Sequence, residues 1–573
     1  MRPLDAARAD LLERELGVLP LTARLLAVRD LPDAEAARAF LSPTLATLLD
    51  PFLMDGMDLA VERIARAVRD REPIAIYGDY DVDGLTATAL LTRFFGALGT
   101  EVTSYIPHRL DEGYGMSMQG VESLQQRGTR LVITVDNGIG CAAEVGRAHE
   151  LGMDVVVTDH HQPEGRTPEA AAVVNPNRAD CPYPFKNLSG CGVAFKLAHA
   201  LARHLGLDAA QAKPLLFSLL DLVALGTVAD VMPLTGENRP LVRHGLYELE
   251  RTRKPGLRAL VNMLGVGDKP FSPETVGFIL APRLNAAGRT GNATDALDLL
   301  LTENEARAWE LAKYLDHLNQ DRRKLESDVL EEALAQLAED PCPAEELPVL
   351  VVAGEGWHAG VVGIVASRLV DRFGRPAVVL GIEGDTARGS ARSIEGFDLL
   401  AALTLCSDLL SEFGGHRMAA GLSLPASRCG ALRDALRHHV ADLLEPGTLK
   451  PRLDIDTHAE ASELTVASLR QIDGLRPFGQ GNPAPIVVLE NCRLVSEPVE
   501  VGGKHLKMRL FQESQNGNGG EPLTAIWFRC PLTRDEVAAW VRAQCLFAVA
   551  GSPRINTWNG VQSVEFSVQD VRL

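Results

Sequence analysis

Between residues 73 and 176, five short apolar runs alternate with helical patterns, and this alternation constrains the fold more than any other feature. The runs are PIAIYGD, EVTSYIP, RLVITVD, MDVVVTD and AAVVNP. Stretches such as LTATALLTRFFGALG and CAAEVGRAHELG lie between most of them. Buried strands alternating with helices predict a parallel sheet in an α/β domain, because parallel neighbours need a crossover connection. In such sheets ligands bind beyond the carboxyl ends of the strands.

Acids and histidines stand at those ends. The first run ends in YGDYDVDG, with Asp79, Asp81 and Asp83 at every second position. The third ends in VDNG, with Asp136, and the fourth in TDHH, with Asp159, His160 and His161. Any one of these alone reads as a structural turn. Delivered by separate strands to one rim, they predict a cation site. Carboxylate oxygens with imidazole nitrogens suit Mn²⁺ or Mg²⁺, and their surplus suits a pair of ions. A two-metal site can activate a water and steady the leaving oxygen of a phosphate ester.

At 573 residues the chain is too long for one core. Residues 1–55 read as a helical cap packed on the next domain in the chain, and residues 56–294 as the catalytic α/β domain. Residues 295–345 carry a charged helical pattern, read as a solvated connecting helix. A second, smaller α/β domain is expected over 346–447. Residues 448–573 alternate at period two and predict an all-β barrel of the oligonucleotide-binding type, with a flexible hairpin loop at 513–522. The nine cysteines form no CxxC pair, which fits thiols in a reducing cytoplasm. Cys181 and Cys191 bracket CPYPFKNLSGC without neighbouring ligands, a poor zinc site. No signal peptide and no membrane span are expected. The net charge of −19 argues against a generic nucleic-acid coat, though a local basic groove can coexist with an acidic exterior.

DYDVDG, VDNG and DHH, followed by ALGTVADVMPL, resemble the motifs of the DHH phosphoesterase superfamily, and more closely those of its RecJ exonucleases. IPHRLDEGYGMS, APRLNAAGRTGNA, GSARSIEGFDLLAAL, FGGHRMAAG and RPFGQGNPAP resemble further RecJ blocks in the expected order, so the likeness spans nearly the whole chain. It implies Asp81, Asp83, Asp136, His160 and Asp230 as metal ligands. Asp159 and His161 stand beside them as catalytic candidates, and His161 either binds metal or polarises the scissile phosphate. Asp79 is either a ligand or an anchor, while Asp221, mid-helix in LLDLVAL, reads as structural. Arg109, Arg283, Asn285 and Arg289, with Ser390, Arg392 and His416, are the implied substrate contacts. Arginine forks suit the grip of a 5′-terminal phosphate. Trp357 and His358 precede the helix start GWHAGVVG, whose N–H groups either serve the fold or receive a phosphate. Lys504, His505, Lys507 and Arg509 are either a DNA-binding surface or a solvated strand face.

The function so implied is a cytoplasmic, monomeric exonuclease of DNA repair and recombination. It would degrade single-stranded DNA from the 5′ end to nucleoside 5′-monophosphates, with Mn²⁺ or Mg²⁺. A narrow gap between the two α/β domains would admit one strand and exclude a duplex. A single-strand-binding protein and a RecQ-type helicase are implied partners. A phosphatase of short oligonucleotides or of 3′-phosphoadenosine phosphate would need neither this length nor the barrel. A catalytically dead scaffold would not need Asp81, Asp83, Asp136, His160 and Asp230 intact.

Overall fold

The computed structural model describes residues 1–573 except 30, 110, 164, 268–269, 445–448, 450–451, 514–520 and 559. The five apolar runs form β1 (Ile74–Tyr77), β2 (Val102–Tyr105), β3 (Leu131–Val135), β4 (Asp154–Thr158) and β5 (Ala172–Val174). They make one parallel sheet in the order β2-β1-β3-β4-β5. Successive side chains point to opposite faces. Ile74, Ile76, Leu131 and Ile133 join the core shared with helices Val82–Ala97, Gly190–His204 and Leu220–Ala229. Ala75, Tyr77, Val132 and Val155 join a smaller core with helices Met118–Gln126 and Ala142–Glu150. Because β1 pairs with β2 on one side and β3 on the other, the strand order reverses there and leaves a crevice beyond their carboxyl ends. Asp79 and Asp136 stand at that crevice.

One stretch, 209–229, is long and apolar enough to cross a membrane. Its second half is core instead. Leu220 to Thr227 are buried, and Asp221 bonds Lys254 Nζ at 2.7 Å and Thr252 Oγ1 at 2.8 Å.

The connecting helix runs over Glu305–Ala338, and residues 295–301 belong to a separate helix, Ala293–Leu301. The expectation of a solvated connector is corrected. Leu311, Ala312 and Leu315 enter the catalytic core, while Val329, Ala333 and Leu337 enter the core of the next domain. Most of its charges line the other side, which is why the pattern read as solvated, but Glu326 is buried and pairs with Arg322 and Arg368. That next domain has β6 (Leu350–Glu355), β7 (Ala377–Glu383), β8 (Thr386–Arg392), β9 (Glu412–His416) and β10 (Ala419–Pro425), in the order β6-β7-β8-β10-β9. Only β6 and β7 are parallel, joined through helix Ala359–Phe373.

The C-terminal sheet contains β11 (Thr457–His458), β12 (Val487–Leu494), β13 (Val499–Val501), β14 (His505–Gln512), β15 (Leu523–Phe528), β16 (Phe547–Trp558) and β17 (Val561–Arg572). Pairing of β12 with β14 closes the order β12-β16-β17-β15-β14 into a five-stranded barrel. Of the expected flexible loop at 513–522, residues 514–520 lie outside the described residues, as does the expected boundary at 447–448.

The N-terminal helices Ala6–Leu16, Pro20–Ala27 and Ala34–Leu41 do not pack as a cap on the domain next to them in sequence. Leu12, Leu21, Leu25 and Leu26 are buried in the same core as Leu469, Leu475, Val487 and Phe566 of the C-terminal region. Arg239, on helix Asn238–Glu250 of the catalytic domain, ties the three parts together. Its guanidinium donates to the carbonyls of Phe40, Gly474, Leu475 and Arg476 and lies 3.7 Å from the Phe40 ring centroid. Burial, with the charges of Arg243 and Arg29, brings its pKa down to about 9.

Candidate active site

Local backbone chemistry aims the acids inward. Asp81 caps helix Val82–Ala97, its Oδ1 accepting from Asp83 N at 2.9 Å and Gly84 N at 3.1 Å. Asp83 meets the start of helix Gly190–His204, accepting from Gly190 N at 2.6 Å and Cys191 N at 3.0 Å. A carboxylate there satisfies amides with no partner inside their helix. Asp136 follows β3 with φ 63°, a left-handed conformation that costs a non-glycine residue on the order of 1–3 kcal/mol. Neighbours hold it there. Asn137 Nδ2 donates to the Tyr77 and Val135 carbonyls, and a Cβ on Gly190 would fall 2.5 Å from the Asp136 side chain. Asp230 ends helix Leu220–Ala229 and brings a carboxylate from outside the sheet.

Three overlapping groups of ligand atoms result, each within 4.8 Å: Asp79, Asp81 and Asp136; Asp83, His160 and Asp230; Asp136, His160 and His161. All the metal-ligand candidates named from the sequence are therefore brought together. His160 Nε2 lies 3.0 Å from Asp136 Oδ1, 3.6 Å from Asp230 Oδ2 and 3.8 Å from Asp83 Oδ2. Yet His160 Nε2, Asp136 Oδ1 and Asp79 Oδ1 are buried without a hydrogen-bond partner among the described residues. Burial first, and then the charge of His161, lowers the His160 pKa to about 4, so the imidazole is neutral. Its one N–H serves the backbone of Leu188, which turns the Nε2 lone pair toward the carboxylates. A lone pair facing carboxylate oxygens is an arrangement that a cation completes.

The acids crowd one another. Burial, then the charge of Asp81, raises Asp83 to about 7, and burial with Asp83 and Asp81 raises Asp230 to about 8. Asp79 and Asp136 rise well above the usual carboxylate range, again through burial first and neighbouring acids second.

Asp159 is directed elsewhere. Its Oδ1 accepts from His160 N, His161 N and His161 Nδ1, and its Oδ2 from Ile139 N. Burial alone would depress the His161 pKa, but the hydrogen bond it donates to Asp159, with that carboxylate's charge, outweighs burial and raises the imidazole to about 9.

Beside the acids lies a basic cluster. Arg109 stacks 4.8 Å from the Tyr80 ring centroid, and Arg289 Nη1 reaches across to the Gly360 carbonyl of the next domain at 3.1 Å. Arg392 Nη1 donates to Ser390 Oγ at 2.8 Å, both side chains lying against the bare backbone of Gly363. Burial, with the charges of Arg109, Arg322 and Arg392, lowers Arg289 to about 10. His416 stands in the same row of the sheet as Arg392, through Ala419.

Two expected substrate contacts turn inward instead. Arg283 pairs with Asp316 at 3.0 Å and donates to the Ile279 carbonyl, and Asn285 Oδ1 accepts from Val82 N at 3.2 Å. Their helix, Ala281–Thr290, packs on the connecting helix and on the start of helix Val82–Ala97, and these two side chains serve that packing. At GWHAGVVG, His358 Nδ1 accepts from Gly360 N and the Trp357 indole donates to Glu332, so this helix start serves the fold. On the barrel, Lys507 and Arg509 are exposed along β14, while His505 Nδ1 accepts from Arg529 N. Sequence reasoning missed Phe528, which is 43% exposed beside His505 and 5.0 Å from Arg554. It also missed Tyr80, Tyr114 and Glu112, although EGYG lies within the RecJ-like block IPHRLDEGYGMS.

The family models that match are the DHH family N-terminal domain over residues 73–227, the DHHA1 domain over 346–442 and the RecJ OB domain over 455–570. A curated relative, the single-stranded-DNA-specific exonuclease RecJ of Bacillus subtilis strain 168, is 40% identical over 570 residues, 99% of this chain and 70% of that protein. The chain belongs to the RecJ family. RecJ of Escherichia coli K12 is 37% identical over 530 residues, 89% of this chain and 90% of that protein. The crystal structure of RecJ from Thermus thermophilus in complex with Mn²⁺ superposes with a TM-score of 0.81 at 32% identity, covering 100% of this chain and 79% of that one. The Mg²⁺ complex of that RecJ gives 0.77 at 29% identity, covering 100% and 78%.

Proposed function

We propose that this RecJ-family chain is a metal-dependent exonuclease that degrades single-stranded DNA from its 5′ end and releases nucleoside 5′-monophosphates. The observation that carries this reading is the juxtaposition of an acid–imidazole cluster with three arginines that crowd one another beside it. Asp79, Asp81 and Asp136 would hold one Mn²⁺ or Mg²⁺, and Asp83, His160 and Asp230 the second. The ions, when bound, supply an activated water and a counter-charge for the phosphate and its leaving oxygen.

The chain's own residues do the rest. Arg109, Arg289, Arg392 and Ser390 grip the terminal 5′-phosphate and set which phosphodiester enters. Asp159 fixes the Nδ1 proton of His161, which stays charged near neutral pH and polarises the scissile phosphate. Water oxygen bonds to phosphorus while the bond from phosphorus to the 3′ oxygen of the first nucleotide breaks. The released nucleotide keeps its own 5′-phosphate. The remaining strand begins with a new one, ready for the same arginines. Lys507, Arg509 and Phe528 on the barrel would hold the downstream strand by charge and stacking. Arg289 touching Gly360 supports a narrow passage between the α/β domains. We also propose a cytoplasmic monomer, in keeping with nine free thiols, and a single-strand-binding protein and a RecQ-type helicase as partners on the strength of family membership.

The test of the arginine pocket uses 5′-phosphorylated and 5′-hydroxyl single strands, labelled at either end. Arg392→Ala is expected to weaken binding of phosphorylated ends by about 10- to 100-fold, the worth of a charge-assisted contact, and to leave hydroxyl ends nearly unchanged. Equal loss on both would remove Arg392 from the pocket.

Metal affinity should depend on pH. Asp83 and Asp230 hold protons to about pH 7 and about pH 8, and ligands must give these up when a cation binds. Mn²⁺ affinity is therefore expected to rise between pH 6 and pH 8. Calorimetry in buffers of different ionisation enthalpy should register protons released near pH 6.5. No release would contradict this ligand set.

A further inference from the structure

We propose that Tyr114 is a positioning residue whose hydroxyl locks Asp136 and His161 relative to each other, and that its loop couples this lock to the phosphate-gripping Arg109. The proposal rests on the roles given above to those three residues. The Tyr114 hydroxyl donates to the Asp136 carbonyl at 3.0 Å and lies 2.8 Å from His161 Nδ1. One oxygen atom thus touches the residue in the left-handed conformation and the imidazole beside it. His161 Nδ1 also lies 2.8 Å from Asp159 Oδ1, so its proton is shared between carboxylate and phenol oxygen. That sharing fixes the ring plane; the phenol oxygen also lies 3.4 Å from Nε2, the nitrogen that remains to meet the reacting phosphate. The rings meet edge to face at 5.3 Å. A phenol serves here because it both donates and accepts.

The backbone is built to aim this side chain. Gly113 and Gly115 flank Tyr114 with φ 82° and 83°, where only glycine sits without strain. Glu112 then staples the loop. Its Oε1 accepts from His108 N at 2.8 Å, and its Oε2 from Tyr105 Oη at 2.9 Å and Ser117 Oγ at 2.5 Å. Arg109 lies inside the stapled stretch, its guanidinium stacked on Tyr80. The same short stretch of chain therefore presents the group that reads the 5′-phosphate and the group that sets the catalytic imidazole. A strand end seated correctly on Arg109 finds His161 and Asp136 already in register.

Tyr114→Phe tests this, because it keeps the ring and deletes only the hydroxyl. On 5′-phosphorylated single strands, kcat is expected to fall by about 10- to 100-fold, with KM within about twofold of the parent, the signature of lost positioning. In metal-free protein carrying ¹⁵N-labelled histidine, the imidazole correlation of His161, assigned through His161→Gln, is expected to shift. Glu112→Gln should lower kcat and erode the preference for a 5′-phosphate together. An unchanged kcat in Tyr114→Phe, or a raised KM at unchanged kcat, overturns the positioning role. Loss of only one property in Glu112→Gln overturns the coupling. Asp136→Asn run in parallel separates the levels: if it too remains active, the reading of the site fails, whereas if it alone is inactive only the Tyr114 proposal does.

Discussion

Asp136→Asn is expected to abolish exonuclease activity while raising the melting temperature of the metal-free protein. The two effects have one cause. Asp136 is buried among Asp79, Asp81, Asp83 and Asp230, and its pKa is pushed far above the usual range by burial and then by those charges. A carboxyl whose folded pKa is raised stabilises nothing above its unfolded pKa near 3.9 and costs progressively more as pH climbs. Asparagine removes that cost and tolerates the same left-handed backbone, so the fold is spared. The gain in melting temperature should be absent near pH 4 and reach a few degrees near pH 8. Activity should fall at least about 1000-fold, on the order of 4 kcal/mol, because a central ligand of the cluster loses its charge. Thermal scans at the two pH values and a single-turnover assay with Mn²⁺ provide the check. Retention of more than about a tenth of the parent rate would contradict the role.

Deleting residues 449–573 alone is expected to give an aggregating protein, although all proposed metal ligands precede residue 231. Removing the barrel strips the partner from the N-terminal helices. Leu12, Leu21, Leu25 and Leu26 are each at most 1% exposed against it. At roughly 1.5–3 kcal/mol per fully buried leucine, at most about 6–12 kcal/mol of burial disappears, an upper bound comparable to the stability of a whole domain. Arg239 would also lose three of its four carbonyl partners and remain a poorly satisfied buried cation. Deleting residues 1–43 as well should restore solubility, because the chain from Leu45 on, through Leu45, Leu48 and Leu49, packs against the catalytic core instead. The double deletion should bind Mn²⁺ like the full chain yet hold long single strands more weakly, with a shallower salt dependence. Equal solubility of the single deletion would show that the N-terminal helices are stable without the barrel.

How far sequence reaches is clearest at particular residues. Strands β1 to β5 were legible because each is a short apolar run bounded by turns, and a parallel strand buried on both faces must look that way. Asp79, Asp81, Asp83, Asp136 and His160 stood out because acids and an imidazole at the carboxyl ends of buried strands have few structural uses, whereas Asp230, which ends a helix, was pointed to only by the family resemblance. For Arg283, expected to contact substrate, neither composition nor motif reveals that Asp316, 33 residues away, pairs with the guanidinium. Tyr114 gave no signal of its own, because a phenol's role depends on which two atoms its oxygen reaches. The same limit governs the domains. Local pattern determined that the N-terminal segment holds helical pieces, through apolar spacing. Only the tertiary structure decided that these helices share a core with the C-terminal region, more than 400 residues further along the chain. Periodicity reports that a face is apolar, whereas the identity of the partner face depends on shape and chain connectivity, which no local window contains.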